Sequence, residues 1–268
     1  MRWLLPQPKE QVNLVEAYSE GMDTPRDRPF LRVNMVISVD GASSVGGRSG
    51  ALGGPGDKLI FTVLRSLADV ILVGSGTVRA EHYGPPTLPE QLRTMRQQRG
   101  QAPLPRIAVV TRSPGELVRS TRLFAGDTPK PVVIAPATVD PDELRTATEV
   151  AHLIRTGKGS VDLGAALKIL GEEGAQHVIC EGGPFLNATL AASGLVDELC
   201  LTLSPRLAGF ARGRPPNGWP VNGEPWGRYT RSRLSGLPAN QLTELDTVHL
   251  LEDEGFLFLR MRSRRSSS

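Results

Sequence analysis

Apolar and polar residues are arranged with two different spacings along most of this chain. Apolar residues spaced three or four apart predict helices, of which the clearest are 57–67, one that starts at Ser160 and one that begins at Pro184. Short apolar runs between these helices predict buried strands. The predicted strands are 31–39, 70–73, 107–111, 132–135, 178–179, 198–203, 247–251 and 256–261. Strands that alternate with helices indicate a largely parallel sheet that helices cover on both faces.

The turn 252–255 joins the last two predicted strands, and its acidic residues and glycine are typical of a β-hairpin. The predicted class is therefore α/β, with a central, mostly parallel mixed sheet flanked by helices and a C-terminal antiparallel hairpin that adds edge strands. Residues 1–29 are interpreted as a polar lead-in with a weakly helical patch, and residues 30–265 as a single domain. Composition predicts a loop at 46–56, an exposed excursion at 84–105 and a long loop at 208–228.

Composition and charge narrow the classes of function. The 268-residue chain has a formal net charge of +3, which does not indicate a nucleic-acid partner but suits an anionic small ligand. No apolar run is long enough to span a membrane, so a cytoplasmic protein is expected. Cys180 and Cys200 are interpreted as buried thiols, and the four scattered histidines predict no metal site. Arg260, Arg262, Arg264 and Arg265 are interpreted as part of a frayed tail.

The segment 179–187 carries the strongest local signal. An apolar strand ends at Glu181, passes through Gly182 and Gly183, and continues as a helix from Pro184, a position where proline's missing N–H costs nothing. Bare backbone followed by a helix N-terminus attracts phosphate or another anion. The alternative interpretation is a tight strand-to-helix turn with no ligand.

A second glycine cluster, Gly74-Ser75-Gly76-Thr77, follows another predicted strand. It lacks the third glycine of the Rossmann fingerprint because Arg79 occupies that position, and the Rossmann assignment fails. The turn can still bring its backbone and the Thr77 hydroxyl close to a ligand. The sequence contains no nucleophile elbow, no P-loop and no zinc-deaminase signature.

Three charged residues are candidates for chemistry. Asp40 is either a catalytic acid or one half of an Asp-Gly turn. Arg65 borders the apolar stripe of its helix and is either a phosphate clamp or a solvated side chain. Glu181 stands at the carboxyl end of a buried strand, which is where α/β sheets bind their ligands.

Six segments occur in the order found in the reductase domain of riboflavin biosynthesis. They are 33–41 (VNMVISVDG), 47–50 (GRSG), 64–69 (LRSLAD), 73–78 (VGSGTV), 181–187 (EGGPFLN) and 194–199 (GLVDEL). From about Leu31 to its C-terminus the chain resembles this family, which includes the C-terminal domain of bacterial bifunctional deaminase–reductases. The resemblance implies a dihydrofolate-reductase-like fold. Because the deaminase signature is missing, it implies a reductase without a deaminase domain.

The resemblance also implies an activity. An enzyme of this family reduces a ribosylaminopyrimidine 5′-phosphate with NADPH and opens its ribose to a ribityl chain. Ser49, Arg65 and Glu181 would face this substrate, Asp40 would be a weak candidate for the acid, and a homodimer is implied. By motif position, the cofactor would be held by Val36, Gly74, Thr77, Glu81, Thr111, Gly182, Gly183, Pro184, Phe185 and Leu186.

Residues 79–86 depart from the family pattern, which continues with an acid, a second acid or Asn, Pro-x-Leu-Thr and an arginine. Glu81 stands for the first acid, but the arginine has no clear counterpart, and Asn34 replaces a lysine. A charge-assisted phosphate contact contributes about 1.5–3 kcal/mol, so its loss is expected to change specificity. Two alternatives follow: a reductase of the same fold for dihydrofolate or another pteridine-like ring, and a nucleotide-binding module without chemistry.

Overall fold

The computed structural model of the chain describes residues 1–22, 27–125, 129–208 and 243–264. The chain divides into two compact units, each assembled from separate stretches. The first unit comprises 1–12, 33–59 and 184–268, and the second comprises 13–32 and 60–183. The loop predicted at 208–228 lies outside the described residues, apart from Ala208.

The regular elements match most of the predicted helices and strands. The strands are β1 (Arg2–Leu5), β2 (Phe30–Ser38), β3 (Val70–Gly74), β4 (Arg106–Val110), β5 (Val132–Ala135), β6 (His152–Arg155), β7 (His177–Cys180), β8 (Glu198–Ser204), β9 (Leu245–Asp253) and β10 (Phe256–Ser263). The helices are α1 (Leu14–Ser19), α2 (Pro55–Leu67), α3 (Ser75–Ala80), α4 (Glu90–Gln98), α5 (Pro114–Ser120), α6 (Pro141–Val150), α7 (Leu163–Glu172) and α8 (Pro184–Ala192), with a 3₁₀ turn at Arg122–Phe124.

The second unit is built on parallel strands in the order β7-β3-β4-β5-β6. Strands β3, β4 and β5 are continuous apolar runs that are buried along most of their length, as expected for a parallel sheet covered on both faces. Helix α7 buries the apolar stripe that its spacing predicts. Its N-cap is Asp162 rather than Ser160, because the Asp162 carboxylate accepts the N–H of Ala165.

The first unit carries the antiparallel strands. The predicted hairpin is confirmed as β9 and β10, joined by Glu254 and Gly255, whose positive φ values of 50° and 82° suit a two-residue turn. The prediction that this hairpin lies at the edge of the sheet is wrong, because β1 pairs with β9 and β8 pairs with β10. The reason is that the lead-in supplies β1, which takes the edge beside β9. The helical patch expected in the lead-in is α1, which Asn13 caps.

The stretch predicted as an exposed excursion contains α4, which one buried arginine anchors. Arg96 is only 1% exposed, and its guanidinium donates to the carbonyl oxygens of Ser66, Ala68 and Ala102. Carbonyls left open near the end of a helix need such donors. Residues 84–105 are polar in composition, but they include a buried side chain that holds α4 in place.

Arg260 and Arg262 are also part of the fold rather than a tail, whereas Arg265 lies outside the described residues. Arg260 lies in β10 and is fully buried, as is Glu198, and the Nε and Nη2 atoms of Arg260 each lie 2.9 Å from Glu198 Oε2. Arg262 Nη2 approaches the same oxygen at 3.2 Å. Within the part of the chain that the structure describes, no helix is both long and apolar enough to cross a bilayer.

Candidate active site

The order of the parallel strands defines one position in the second unit where a ligand is expected. From β3 the chain adds β4, β5 and β6 in succession, and it then returns to place β7 on the other side of β3. Strand order reverses between β3 and β7. In open α/β sheets, ligands bind outside the carboxyl ends of the strands at such a reversal.

Both glycine clusters of the sequence meet at this position. The N–H of Gly74, at the end of β3, donates to the carbonyl of Gly182, just after β7, over 2.7 Å. Gly182 has a φ of +86°, which favours glycine, and the Gly182–Gly183 peptide is cis. A β-carbon built at Gly183 would come 2.7 Å from Thr77 Oγ1. The turn after β7 therefore presents backbone where a side chain would not fit.

Three side chains form a hydrogen-bonded cluster beside these turns, which we call the Arg65 cluster: Arg65, Glu181 and Tyr83. Arg65, on α2, donates from Nε to Glu181 Oε1 over 2.6 Å and from Nη2 to Oε2 over 2.7 Å. Tyr83, which follows α3, donates its hydroxyl to Glu181 Oε2 over 2.6 Å. This fork-to-fork geometry is the strong form of an arginine–carboxylate contact.

The charges within the cluster are balanced and enclosed. The Glu181 side chain is 2% exposed and that of Arg65 is 17% exposed, so Arg65 is the charged member that a ligand can reach. Burial and the nearby carboxylate raise the pKa of Tyr83. Burial acts to lower the pKa of Arg65, but Glu181 outweighs it and the pKa is raised. Both groups therefore keep their protons and remain donors.

Other predicted site residues of the second unit lie on the same elements or next to them. Thr111 follows β4, where its N–H donates to Ile134 and its hydroxyl accepts the N–H of Ser113. Glu81 caps the end of α3, with its N–H donating to the Thr77 carbonyl. The structure thus brings Gly74, Thr77, Gly182 and Gly183 together, and it pairs Arg65 with Glu181.

The remaining predicted residues belong to the first unit. Val36 lies in β2. Asp40 lies in the turn after β2, where it accepts from the Ser38 hydroxyl and from the N–H of Ala208. Ser49 is half-buried and accepts the N–H of Leu52 through its carbonyl. Helix α8 starts at Pro184, as predicted, followed by an 85% exposed Phe185 and a buried Leu186.

Sequence reasoning missed three residues around the site. Phe61 lies under the Arg65 guanidinium, with 4.2 Å from Cζ to its ring centroid. Tyr83 had a signal, because it falls in the segment that departs from the family pattern. Asp69, within a matching segment, is structural: its Oδ2 accepts the N–H groups of Gln176 and His177 over 2.8 and 2.9 Å. Among the described residues, no group of three potential ligands could hold a metal ion.

The fold and the site together define a class of enzyme. Enzymes of this class have a mixed α/β fold and bind small ligands where the strand order reverses, which here is beside the glycine turns and the charged cluster. Comparison with known proteins gives the family: residues 29–223 match the RibD C-terminal domain, and the chain belongs to that family. The resemblance drawn from the six segments is confirmed, and the mixed sheet flanked by helices confirms the α/β class that it implied.

Two archaeal relatives share the name 2,5-diamino-6-ribosylamino-4(3H)-pyrimidinone 5′-phosphate reductase. The protein from Archaeoglobus fulgidus is 30% identical over 183 residues, which cover 68% of this chain and 83% of the relative. The protein from Methanothermobacter thermautotrophicus is 25% identical over 182 residues, covering 68% and 80%. Among solved structures, a pyrimidine reductase-like protein from Corynebacterium diphtheriae has the same fold, with a TM-score of 0.75, 24% identity and coverage of 95% and 100%.

Proposed function

We propose that this protein is an NADPH-dependent reductase of a ribosylaminopyrimidine 5′-phosphate in riboflavin biosynthesis. One observation carries the proposal: the glycine turns after β3 and β7 are joined by the 2.7 Å bond from Gly74 to Gly182, directly beside Glu181 and Arg65. Bare backbone that suits a cofactor therefore lies next to charged groups that suit a substrate. Family membership and the names of the archaeal relatives support the same activity.

The backbone at the strand-order reversal fits a dinucleotide. A side chain at Gly183 would meet Thr77 Oγ1, whereas a β-carbon at Gly76 would have no atom within 4 Å, so the turn has open space in front of it. Gly74, Thr77, Gly182 and Gly183 would hold the cofactor in this unit, with Glu81 and Thr111 at its margins. When bound, the nicotinamide supplies a hydride. From the resemblance, we assign Val36, Pro184, Phe185 and Leu186 of the first unit to the same cofactor.

The substrate is assigned to Arg65, Glu181 and Ser49. The partly exposed Arg65 guanidinium offers N–H donors to phosphate or carbonyl oxygens, and Glu181 holds it in place. The chemistry requires the sugar ring to open to an imine, which takes a hydride at C1′ and a proton at nitrogen to give the ribityl amine. Asp40 is the proposed acid. A cytoplasmic homodimer with no nucleic-acid partner is proposed on the family resemblance.

The activity test uses two substrates that differ at one ring position. The sequence resemblance favours 5-amino-6-(5-phosphoribosylamino)uracil, whereas the names of the archaeal relatives favour the 2,5-diamino-pyrimidinone with an amino group in place of a carbonyl. Purified protein is mixed with NADPH and each compound, and loss of nicotinamide absorbance is followed with mass analysis of the ribityl product. Turnover of either compound supports the proposal, and the ratio of kcat/KM values identifies the preferred ring.

Two controls address the alternatives. Turnover of dihydrofolate with neither pyrimidine reduced would indicate the pteridine-type reductase instead. Tight NADPH binding by calorimetry without turnover of any of the three compounds would indicate a nucleotide-binding module. Replacing NADPH by NADH tests the cofactor, and we expect a lower kcat/KM with NADH.

A further inference from the structure

The segment that departs from the family pattern supplies a side chain to the candidate site. Tyr83 lies in this segment, and its N–H donates to the Val78 carbonyl over 3.0 Å, which ties the turn to α3. Its hydroxyl reaches Glu181 Oε2 over 2.6 Å, although the two residues are 98 positions apart in the chain. Its ring centroid is 5.5 Å from Cζ of Arg65. One tyrosine therefore contacts both charged members of the Arg65 cluster.

The Glu181 carboxylate has little capacity left for a ligand. A carboxylate offers about four acceptor positions. Arg65 Nε takes one on Oε1, and Arg65 Nη2 and Tyr83 take two on Oε2. With its side chain only 2% exposed, Glu181 has little surface for a substrate and acts on it mainly through Arg65.

The Arg65 guanidinium is restrained on several sides and open on one. Its Nε–Nη2 edge faces Glu181, and the rings of Phe61 and Tyr83 lie 4.2 and 5.5 Å from Cζ. The two hydrogen bonds from Arg65 to Glu181 use Nε and Nη2 and leave the Nη1 side out of that pair, and the side chain is 17% exposed. The Nη1 side is thus the part of this cation that can meet a ligand.

We propose that Tyr83 is a positioning residue, which holds Glu181 so that Arg65 presents its Nη1 side to an oxygen acceptor of the substrate. The proposal rests on the reductase function proposed above and adds a residue that sets its specificity. The acceptor is a phosphate oxygen or a ring carbonyl of the same substrate. Tyr83 acts as a permanent donor, since burial and the neighbouring carboxylate raise its pKa and keep it protonated.

The kinetic test is Tyr83→Phe, which removes the hydroxyl and keeps the ring. We expect KM for the ribosylaminopyrimidine phosphate to rise about tenfold, because a hydrogen bond to a charged group is lost, while kcat stays within about twofold. The NADPH dissociation constant is expected to stay at the wild-type value. Tyr18→Phe is the matched control, the same change at a buried tyrosine that contacts Arg32 instead, and should leave KM unchanged.

Comparing the phosphorylated substrate with its nucleoside identifies the acceptor. If the Nη1 side meets the phosphate, Tyr83→Phe raises KM only for the phosphorylated compound. If it meets a ring carbonyl, KM rises equally for both compounds, and either result supports the positioning role. An unchanged KM, or a parallel loss of kcat, NADPH affinity and thermal stability, overturns it.

A second measurement does not depend on turnover. Urea unfolding is measured for Tyr83→Phe, Arg65→Lys and the double variant. Because both side chains bind one carboxylate, the unfolding equilibrium constant of the double variant should differ about fivefold from the value that the two single effects predict. Additive effects would overturn the positioning role even in an active enzyme. Non-additive effects in a protein that reduces no pyrimidine would support the cluster while rejecting the proposed function.

Discussion

The main chain at Gly183 lies against the hydroxyl of Thr77, so that a β-carbon at position 183 would be 2.7 Å from Thr77 Oγ1. Carbon and oxygen atoms do not approach this closely without a shift of one of them. Because Thr77 lies on α3 and Gly183 follows β7, this contact fixes how closely the two turns approach. Gly74 is not crowded in this way, since its β-carbon would lie at an ordinary contact distance of 3.5 Å from Gly183 N.

Replacing Gly183 by Val should therefore abolish NADPH binding. The branched side chain must push Thr77 away or close the space in front of the turn, and overpacking of this kind costs about 1–3 kcal/mol. Calorimetric titration with NADPH measures the loss, and thermal unfolding measures the strain. Gly84→Ala is a matched control because a β-carbon there would meet no atom within 4 Å.

The smaller change Gly183→Ala tests whether the threonine hydroxyl is the obstacle. Adding Thr77→Ala to this variant removes the oxygen and should restore most of the lost stability. If the double variant is no more stable than Gly183→Ala, the clash lies elsewhere. An unchanged NADPH affinity in Gly183→Val would remove this turn from the cofactor site.

Removing either partner of the Arg65–Glu181 pair should have unequal effects. Arg65→Ala leaves a carboxylate that is 2% exposed without its cation, which costs about 3 kcal/mol of folding stability. Glu181→Gln leaves an arginine that retains 17% exposure and an amide oxygen as acceptor, so we expect a cost nearer 1 kcal/mol. Urea unfolding of the two variants measures the difference.

The same variants separate substrate binding from cofactor binding. In Arg65→Ala, KM for the pyrimidine substrate should rise by at least about tenfold while the NADPH dissociation constant stays within about twofold. Equal losses of both affinities would contradict the assignment of Arg65 to the substrate. A greater loss of stability in Glu181→Gln than in Arg65→Ala would contradict the burial argument.

Local chemistry made the glycine turns predictable, but it could not reveal the pairings across the chain. The turn at Gly182 and Gly183 and the helix start at Pro184 follow from the residue types themselves, and the sequence predicted both. Arg65 and Glu181 were each predicted to face a substrate, yet they are 116 positions apart and face each other. This contact exists because β7 returns to pair with β3, an arrangement that composition and periodicity do not specify.

Polar composition misled the interpretation where one polar side chain is buried. Residues 84–105 look solvent-exposed by composition, but Arg96 is 1% exposed because three carbonyls accept its N–H groups. Arg260 was likewise assigned to a tail, although its partner Glu198 is in β8. In both cases the arginine side chain is buried because it binds oxygen atoms of other segments of the chain. The residues next to the arginine in sequence do not indicate such partners.

The Cys180 thiol should make the protein less stable in alkali. Burial raises the pKa of Cys180 from 9.0 to about 12, so the folded state keeps the proton that the unfolded chain loses. Stability from this group is complete below pH 9.0 and falls as pH rises toward 12, by about 1.4 kcal/mol per pH unit.

The measurement is urea unfolding of wild type and Cys180→Ala at several pH values from neutral to alkaline. The difference in their unfolding free energies should shrink above pH 9.0, because only the wild type releases this proton on unfolding. A pH-independent difference would show that the thiol ionises as readily in the folded protein. Native Cys180 should also resist alkylation until the protein unfolds, since the thiolate is the reactive form.

The buried pair of Glu198 and Arg260 should behave differently from the Arg65 cluster, because neither side chain is exposed. Arg260→Met removes the fully buried cation beside Glu198, although Arg262 stays at 3.2 Å, and should destabilise the protein by about 3–5 kcal/mol. The double variant Arg260→Met with Glu198→Leu removes both charges and should recover much of this loss, since apolar replacements of a buried pair are often neutral. Urea unfolding of the four proteins gives the coupling. A double variant less stable than Arg260→Met would mean that Glu198 stabilises the first unit through Arg262 rather than Arg260.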